Sequence, residues 1–224
     1  MAMDRVARLA GHVRRASAAP ASAAGPTPQP FVLRASDAEL ADLQLRLERA
    51  RFPEQLEDAA DWAMGTELGA LRRLVERWRS PDGYCWRTWE DRFNAMGPHF
   101  TLRLLQQPAL GADGPLGTLH FVHRRCTSND EAPALLLSHG WPGSVWEFHK
   151  IIPHLAQHFH VVAPSIPGYG FSDPPRRRGF SAVDAARLFH TLMIALGYQT
   201  YYAHGGDWVS PAASRLALTV VLIP

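Results

Sequence analysis

The apolar positions of this chain change period several times, and each change marks an element. Leu40, Leu43 and Leu47 recur at helical spacing behind Ser36 and Glu39, a Ser-x-x-Glu capping box, and Pro53 closes the run. Leu68, Leu71, Val75 and Trp78 form a second helical stripe that stops before Pro81. Trp62, Trp86, Trp89 and Phe93 supply large apolar area and read as packing residues in little regular structure. Residues 104–125 read as strands around the Gly/Pro-rich turn 111–115, with 119–123 alternating between faces.

The second half of the chain has a different rhythm. Residues 134–137 and 159–163 are short apolar runs, the pattern of strands buried on both faces. Between them Trp146, Ile151, Ile152 and Leu155 fit a helix bent at Pro153. Ser181 with Asp184 opens a helix through Phe189, Leu192, Met193 and Leu196, which Gly197 ends. Alternating strand and helix predicts an α/β fold with a mostly parallel sheet and helices on both faces. Ligands in such sheets bind beyond the strand C-termini.

Composition narrows the function classes. A hydrophobic content of 46% supplies a real core, while a net charge of +2 without an aromatic-studded basic stripe gives no sign of a nucleic-acid partner. Cys85 and Cys126 match no metal-ligand spacing and make no disulfide framework. Residues 1–30 stand apart: rich in Ala, Ser and Pro, with Arg5, Arg8, Arg14 and Arg15 against Asp4. This segment reads either as a disordered tail or as a transit peptide. No stretch approaches the ~20 apolar residues of a membrane span. A soluble protein, cytoplasmic or organellar, is therefore expected; oligomeric state is left open.

Candidate chemistry gathers at two stretches. In residues 201–211, YYAHGGDWVSP, an aromatic strand-like run breaks at Gly205 and Gly206, and an Ala/Leu-rich segment follows Asp207 and Trp208. A sharp strand-to-helix turn there lifts Asp207 clear of the backbone, with the glycines permitting the strained geometry and the helix N-terminus favouring its charge. The plainer reading is a Gly-Gly turn whose aspartate caps the next helix. The second stretch follows the 134–137 run and reads His139-Gly140-Trp141-Pro142-Gly143-Ser144. A cis bond at Pro142 would aim the Trp141 amide inward, and with the Trp208 amide it would make a two-donor oxyanion hole. His120 on the alternating run reads as a satisfied strand residue rather than a catalytic base.

These two stretches, together with Val162-Ala-Pro-Ser-Ile-Pro-Gly-Tyr-Gly-Phe-Ser172, resemble epoxide hydrolases of the α/β-hydrolase fold, of the microsomal and juvenile-hormone type. Trp86-Arg87 and residues 98–101 resemble motifs of that family's N-terminal segment. The resemblance implies three divisions. Residues 1–30 are the tail, 31–125 the N-terminal segment that wraps the core, and 126–224 the first part of the α/β-hydrolase core, truncated after the nucleophile elbow.

It also implies a reaction: Asp207 opens an apolar epoxide to a diol through an ester intermediate, with the Trp141 and Trp208 amides as oxyanion donors. His139, Gly140, Pro142 and Tyr169 would line the substrate pocket, with no cofactor or metal. The family's histidine base, its partner acid and two lid tyrosines belong after the elbow helix, and residues 208–224 contain no histidine, acid or tyrosine. Weak or no turnover is therefore expected of this chain alone. The strand entering the elbow is expected to be an exposed sheet edge. Two alternatives stay in view: a haloalkane dehalogenase-like hydrolase, and a non-catalytic protein that binds apolar ligands.

Overall fold

The apolar runs at 134–137 and 159–163 lie side by side in the middle of a mixed sheet. A computed structural model describes residues 27–58, 62–104, 117–176, 178–207 and 221–222. Seven strands are described: β1 (Gln29–Phe31), β2 (His99–Leu104), β3 (Gly117–Arg124), β4 (Ala134–Ser138), β5 (His160–Pro164), β6 (Tyr201–Gly205) and β7 (Val221–Leu222). Their order across the sheet is β1-β2-β3-β5-β4-β6-β7. β4 pairs in parallel with β5 on one side and β6 on the other, and every residue of β4 and β5 is buried.

The sheet is less parallel than the alternation of elements suggests. β1, β2, β3 and β5 pair antiparallel in turn, whereas β5, β4, β6 and β7 are parallel. β2 and β3 are consecutive strands and return as antiparallel neighbours, whereas helical segments lie between β4 and β5 and between β5 and β6. The expected exposed edge at β6 is also corrected, because Tyr202 and Ala203 pair with Val221 and Leu222.

Leu33–Ala95 forms one compact unit, and the sheet belongs to a second unit that continues from Met96. In the first unit, helix α1 (Asp37–Glu48) begins at the predicted capping box. Glu39 accepts from the Ser36 amide at 2.7 Å, and the Glu39 amide donates to the Ser36 hydroxyl at 3.2 Å. The helix ends at Glu48, well before Pro53. Helix α2 (Leu68–Arg79) is capped by Glu67, whose carboxylate accepts from the amides of Gly69 and Ala70.

The aromatic stretch read as irregular is in part a third helix, α3 (Trp86–Ala95). Its one buried residue is a carboxylate, Glu90, which accepts from the Ala35 amide, the Trp86 indole and the Arg87 guanidinium. Burial pushes Glu90 upward, but these bonds outweigh it and hold the group at about 2.

In the second unit the stretch after Ser144 is not one bent helix. It is a 3-10 turn, Val145–Phe148, and a short helix α4 (Ile152–Leu155) with Pro153 in its first turn, where a missing amide costs nothing. Helix α5 (Ala182–Ala195) has the predicted Ser181/Asp184 box, and Gly197 beyond it takes a φ of 91°. It packs Phe189, Leu192 and Met193 against Leu136, Val162 and Ala203 of the sheet. Burying each such side chain contributes roughly 1.5–3 kcal/mol. No helix among the described residues is long and apolar enough to cross a membrane.

Candidate active site

Parallel pairing sends β4 and β6 out of the sheet at the same end. Leu137 is in register with His204 and Ser138 with Gly205, so the loop after β4 and the turn after β6 face one another. Asp207 sits in that turn with a φ of 59°, a left-handed conformation that costs a non-glycine residue on the order of 1–3 kcal/mol. The sequence suggested that Gly205 and Gly206 would carry the strained geometry. At Gly206 the backbone does not adopt a positive φ, and no described atom lies within 4 Å of an added β-carbon.

The glycine that the site does require is Gly140. A β-carbon there would lie 2.5 Å from Asp207 Cβ and 3.0 Å from its Cγ. The residue after Gly140 then supplies a donor: the Trp141 amide gives its hydrogen to Asp207 Oδ1 at 3.1 Å. The Trp141–Pro142 bond is cis.

Further along the loop, Glu147 Oε1 accepts from the Ser144 amide at 3.1 Å, and the Ser144 hydroxyl accepts from the Trp146 amide at 3.3 Å. A β-carbon on Gly143 would collide with that same Glu147 oxygen. The 3-10 turn therefore props the loop that carries the Trp141 donor.

His139 anchors the loop from beneath. Its ring is 1% exposed, and Nε2 accepts from the Ile166 amide at 3.1 Å. Nδ1 must then carry the hydrogen, which it donates to the Gly140 carbonyl at 3.1 Å. Burial pushes this imidazole below its ordinary range, against smaller upward pulls from the Gly140 carbonyl and the Glu147 charge. Both nitrogens being committed, the ring is a strut between the β4 loop and the segment after β5. Tyr169, in that segment, meets the His139 ring edge-on at 5.6 Å between centroids.

Over Asp207 opens a cavity of about 350 Å³, within the roughly 300–1,000 Å³ of small-molecule sites. Gly140, Trp141, Pro142 and Asp207 line it. The expected pocket residues His139 and Tyr169 are not among its lining residues, because the first is buried beneath the loop and the second packs on the core. Trp208, the second expected oxyanion donor, lies outside the described residues.

Glu147, Phe148 and His204 line the cavity unforeseen. On β6 Ala203 is 1% exposed and Tyr202 5%, whereas His204 at the strand end is exposed.

His120 is fully buried away from this cavity, bonded to Ser165 Oγ at 2.9 Å and to His99 Nδ1 at 3.1 Å. Among the described residues no group of three or more His, Cys, Asp or Glu side chains is placed to hold a metal ion.

Comparison with known proteins gives this arrangement its relatives. The family model described as epoxide hydrolase N terminus matches residues 28–148, more than half of the chain, and the model for the alpha/beta hydrolase fold matches residues 133–220. Epoxide hydrolase 1 of Sus scrofa is 37% identical over 214 residues, covering 90% of this chain and 44% of that protein. Juvenile hormone epoxide hydrolase 2 of Ctenocephalides felis is 34% identical over 198 residues, 84% of this chain and 40% of that one.

Among solved structures, Aspergillus niger epoxide hydrolase superposes with a TM-score of 0.74 at 30% identity, over 88% of this chain and 52% of that one. The juvenile hormone epoxide hydrolase of the silkworm Bombyx mori gives 0.73 at 31% identity, over 86% and 45%. The chain thus spans about half the length of the relatives it matches. By sequence and by fold, this chain belongs to the epoxide hydrolase family of the α/β-hydrolase fold.

Proposed function

We propose that Asp207 is the nucleophile of an epoxide-opening hydrolase and that the Trp141 amide is one of its oxyanion donors. The observation that carries this reading is the 3.1 Å bond from the Trp141 amide to Asp207 Oδ1, at a residue held at positive φ on the floor of a cavity. A carboxylate, with an ordinary pKa near 3.9, is ionised at neutral pH and needs no base to attack a strained ring carbon. The attack forms an Asp207 ester as the carbon–oxygen bond of the ring breaks.

Water then has to attack the ester carbonyl, and the carbonyl oxygen becomes an oxyanion. The carboxylate oxygen already held by the Trp141 amide is the one that takes this charge. A preorganised donor of this kind contributes about 3–4 kcal/mol to such a step. Trp141 and Phe148 on the cavity wall favour an apolar epoxide. The neighbouring silkworm and flea proteins are named for juvenile hormone, which is said of them alone.

Exposure of the chain to styrene oxide, followed by intact mass measurement, tests the first step. One adduct on the wild type, absent in Asp207→Ala, supports the assignment, and release of the diol over repeated turnovers would extend it to the second step. Equal labelling of the two proteins would remove Asp207 from its role and favour ligand binding without chemistry.

A further inference from the structure

The cavity over Asp207 has a second acid on its wall. Glu147 lines it from the 3-10 turn, and no lysine or arginine is among its described lining residues. We infer that this charge makes the cavity prefer epoxides that carry a positive group, an amine or a quaternary ammonium on an apolar body, and that Glu147 is the residue that sets the preference. The inference rests on Asp207 being the nucleophile, and it adds a sign of charge to the apolar epoxide proposed above.

Only a thin loop lies between the two acids. The space for a β-carbon on Gly140 is taken by Asp207, whose own Cβ would stand 2.5 Å away. The space for one on Gly143 is taken by Glu147 Oε1, and that same point is 3.0 Å from the Gly140 carbonyl oxygen. Asp207 and Glu147 therefore flank one short stretch, Gly140 to Gly143, with no side chain on either glycine to part them. The Ser144 amide fixes Glu147 Oε1 at 3.1 Å, and the Glu147 charge is felt as an upward pull on the His139 imidazole at the start of the loop.

Among the described residues Glu147 forms no ion pair. Its bond to the Ser144 amide needs an acceptor oxygen and not a charge, so the charge is left to act on the cavity. A cleft lined by one sign of charge concentrates ligands of the opposite sign. The wall also carries Phe148 and Trp141, the latter 64% exposed, and an aromatic face attracts a quaternary ammonium. Acids and aromatics together fit a trimethylammonium group better than an uncharged group of the same shape.

The test compares two epoxides that differ in charge alone, glycidyltrimethylammonium and its isostere 1,2-epoxy-4,4-dimethylpentane. With either, an Asp207 oxygen bonds to the terminal ring carbon as that carbon's bond to the ring oxygen breaks; the bonding pair stays on the oxygen, which takes a proton from water. The full chain is labelled as wild type and as Glu147→Gln, with intact mass as the readout and Asp207→Ala as the blank, at about pH 8, where free imidazole is neutral. The cation-to-neutral rate ratio is divided by the ratio for acetate in solution, which removes both the reactivity of the epoxides and the charge of a single carboxylate. At low salt the wild-type ratio should exceed that of acetate by about tenfold, and Glu147→Gln should lower it by about threefold. Salt at about 0.5 M should shrink the wild-type advantage.

A wild-type ratio no higher than that of acetate overturns the preference and leaves Asp207 standing, and this comparison decides even where Glu147→Gln does not fold. A labelled Glu147→Gln protein with the wild-type ratio overturns the role of Glu147. Absence of any Asp207-dependent adduct with either epoxide overturns the nucleophile assignment, and this inference with it.

Discussion

Gly140 and Asp207 are in contact across the cavity floor, so closely that a β-carbon on the first would stand 2.5 Å from the β-carbon of the second. Neither atom is the far end of a flexible chain, so the loop or the turn has to move. Overpacking of this kind costs about 1–3 kcal/mol, and here it also draws the Trp141 amide away from Oδ1. Gly140→Ala is therefore expected to lower the melting temperature modestly and to slow Asp207 labelling by more than its effect on stability explains. Labelling at the wild-type rate in a folded Gly140→Ala protein would show that the contact does not constrain the nucleophile.

Glu147 supports the same loop from its other end. Its carboxylate takes the Ser144 amide at 3.1 Å and fills the space that a side chain on Gly143 would need. Glu147→Ala removes half of a capping box, worth about 1 kcal/mol, whereas Glu147→Gln keeps an oxygen acceptor at the same reach. The expected order of chemical stability is wild type, then Gln, then Ala, with Gly143→Ala at least as low as Ala. Denaturant midpoints for the four proteins check it, and a Gln variant as weak as Ala would point to charge rather than the hydrogen bond.

Three imidazoles make the second unit sensitive to acid. Burial, and then the neighbouring His99, lowers His120 to about 3; burial, then His160 and Arg125, lowers His123 to about 4; His139 is also lowered by burial. As pH falls, the unfolded chain therefore binds these protons before the folded one does. Stability is fully present above about pH 6.5 and is lost as pH falls toward the folded values, at about 1.4 kcal/mol per pH unit for each imidazole. Denaturant titrations between pH 7.5 and 5 should show this slope, and His120→Gln should reduce it by one proton whatever it does to stability at pH 7.5. An unchanged slope would mean that His120 is not among the groups taking up protons.

Much of this architecture is legible in the amino-acid sequence, wherever local chemistry and burial agree. The Ser36/Glu39 and Ser181/Asp184 boxes, the two apolar strands and the α5 stripe are each fixed by residues a few positions apart. The Asp207 turn was visible as well, but its strain was assigned to Gly205 and Gly206 because glycine is the usual occupant of positive φ.

What escaped reading depends on partners distant in sequence. Helix α3 carries Trp86, Trp89 and Phe93 at i, i+3 and i+7, but that its one buried residue is an acid depends on Arg34 and Ala35, far away in the chain. His139 stands in a motif that invites a chemical role, yet its commitment to Ile166 is visible only once β4 and β5 are paired.

The buried acid of α3 yields a last prediction. Glu90 is 2% exposed and accepts from the Ala35 amide at 2.7 Å, from Arg87 at 2.9 Å and from Arg34 at 3.1 Å. The two arginines are not equivalent, for the Arg87 side chain is 27% exposed and that of Arg34 is 68% exposed. Solvent screens the outer pair, so a double-mutant cycle should give a larger coupling for Arg87 with Glu90 than for Arg34 with Glu90. Because Glu90 is held at about 2, its stabilising effect is present above the ordinary carboxylate value of about 4.5 and is lost as pH falls from there to about 2. Glu90→Gln should therefore melt earlier than wild type at pH 7 and converge with it near pH 2. A constant gap between the two melting curves across that range would show that the ionised carboxylate is not what holds Ala35, Trp86 and Arg87 together.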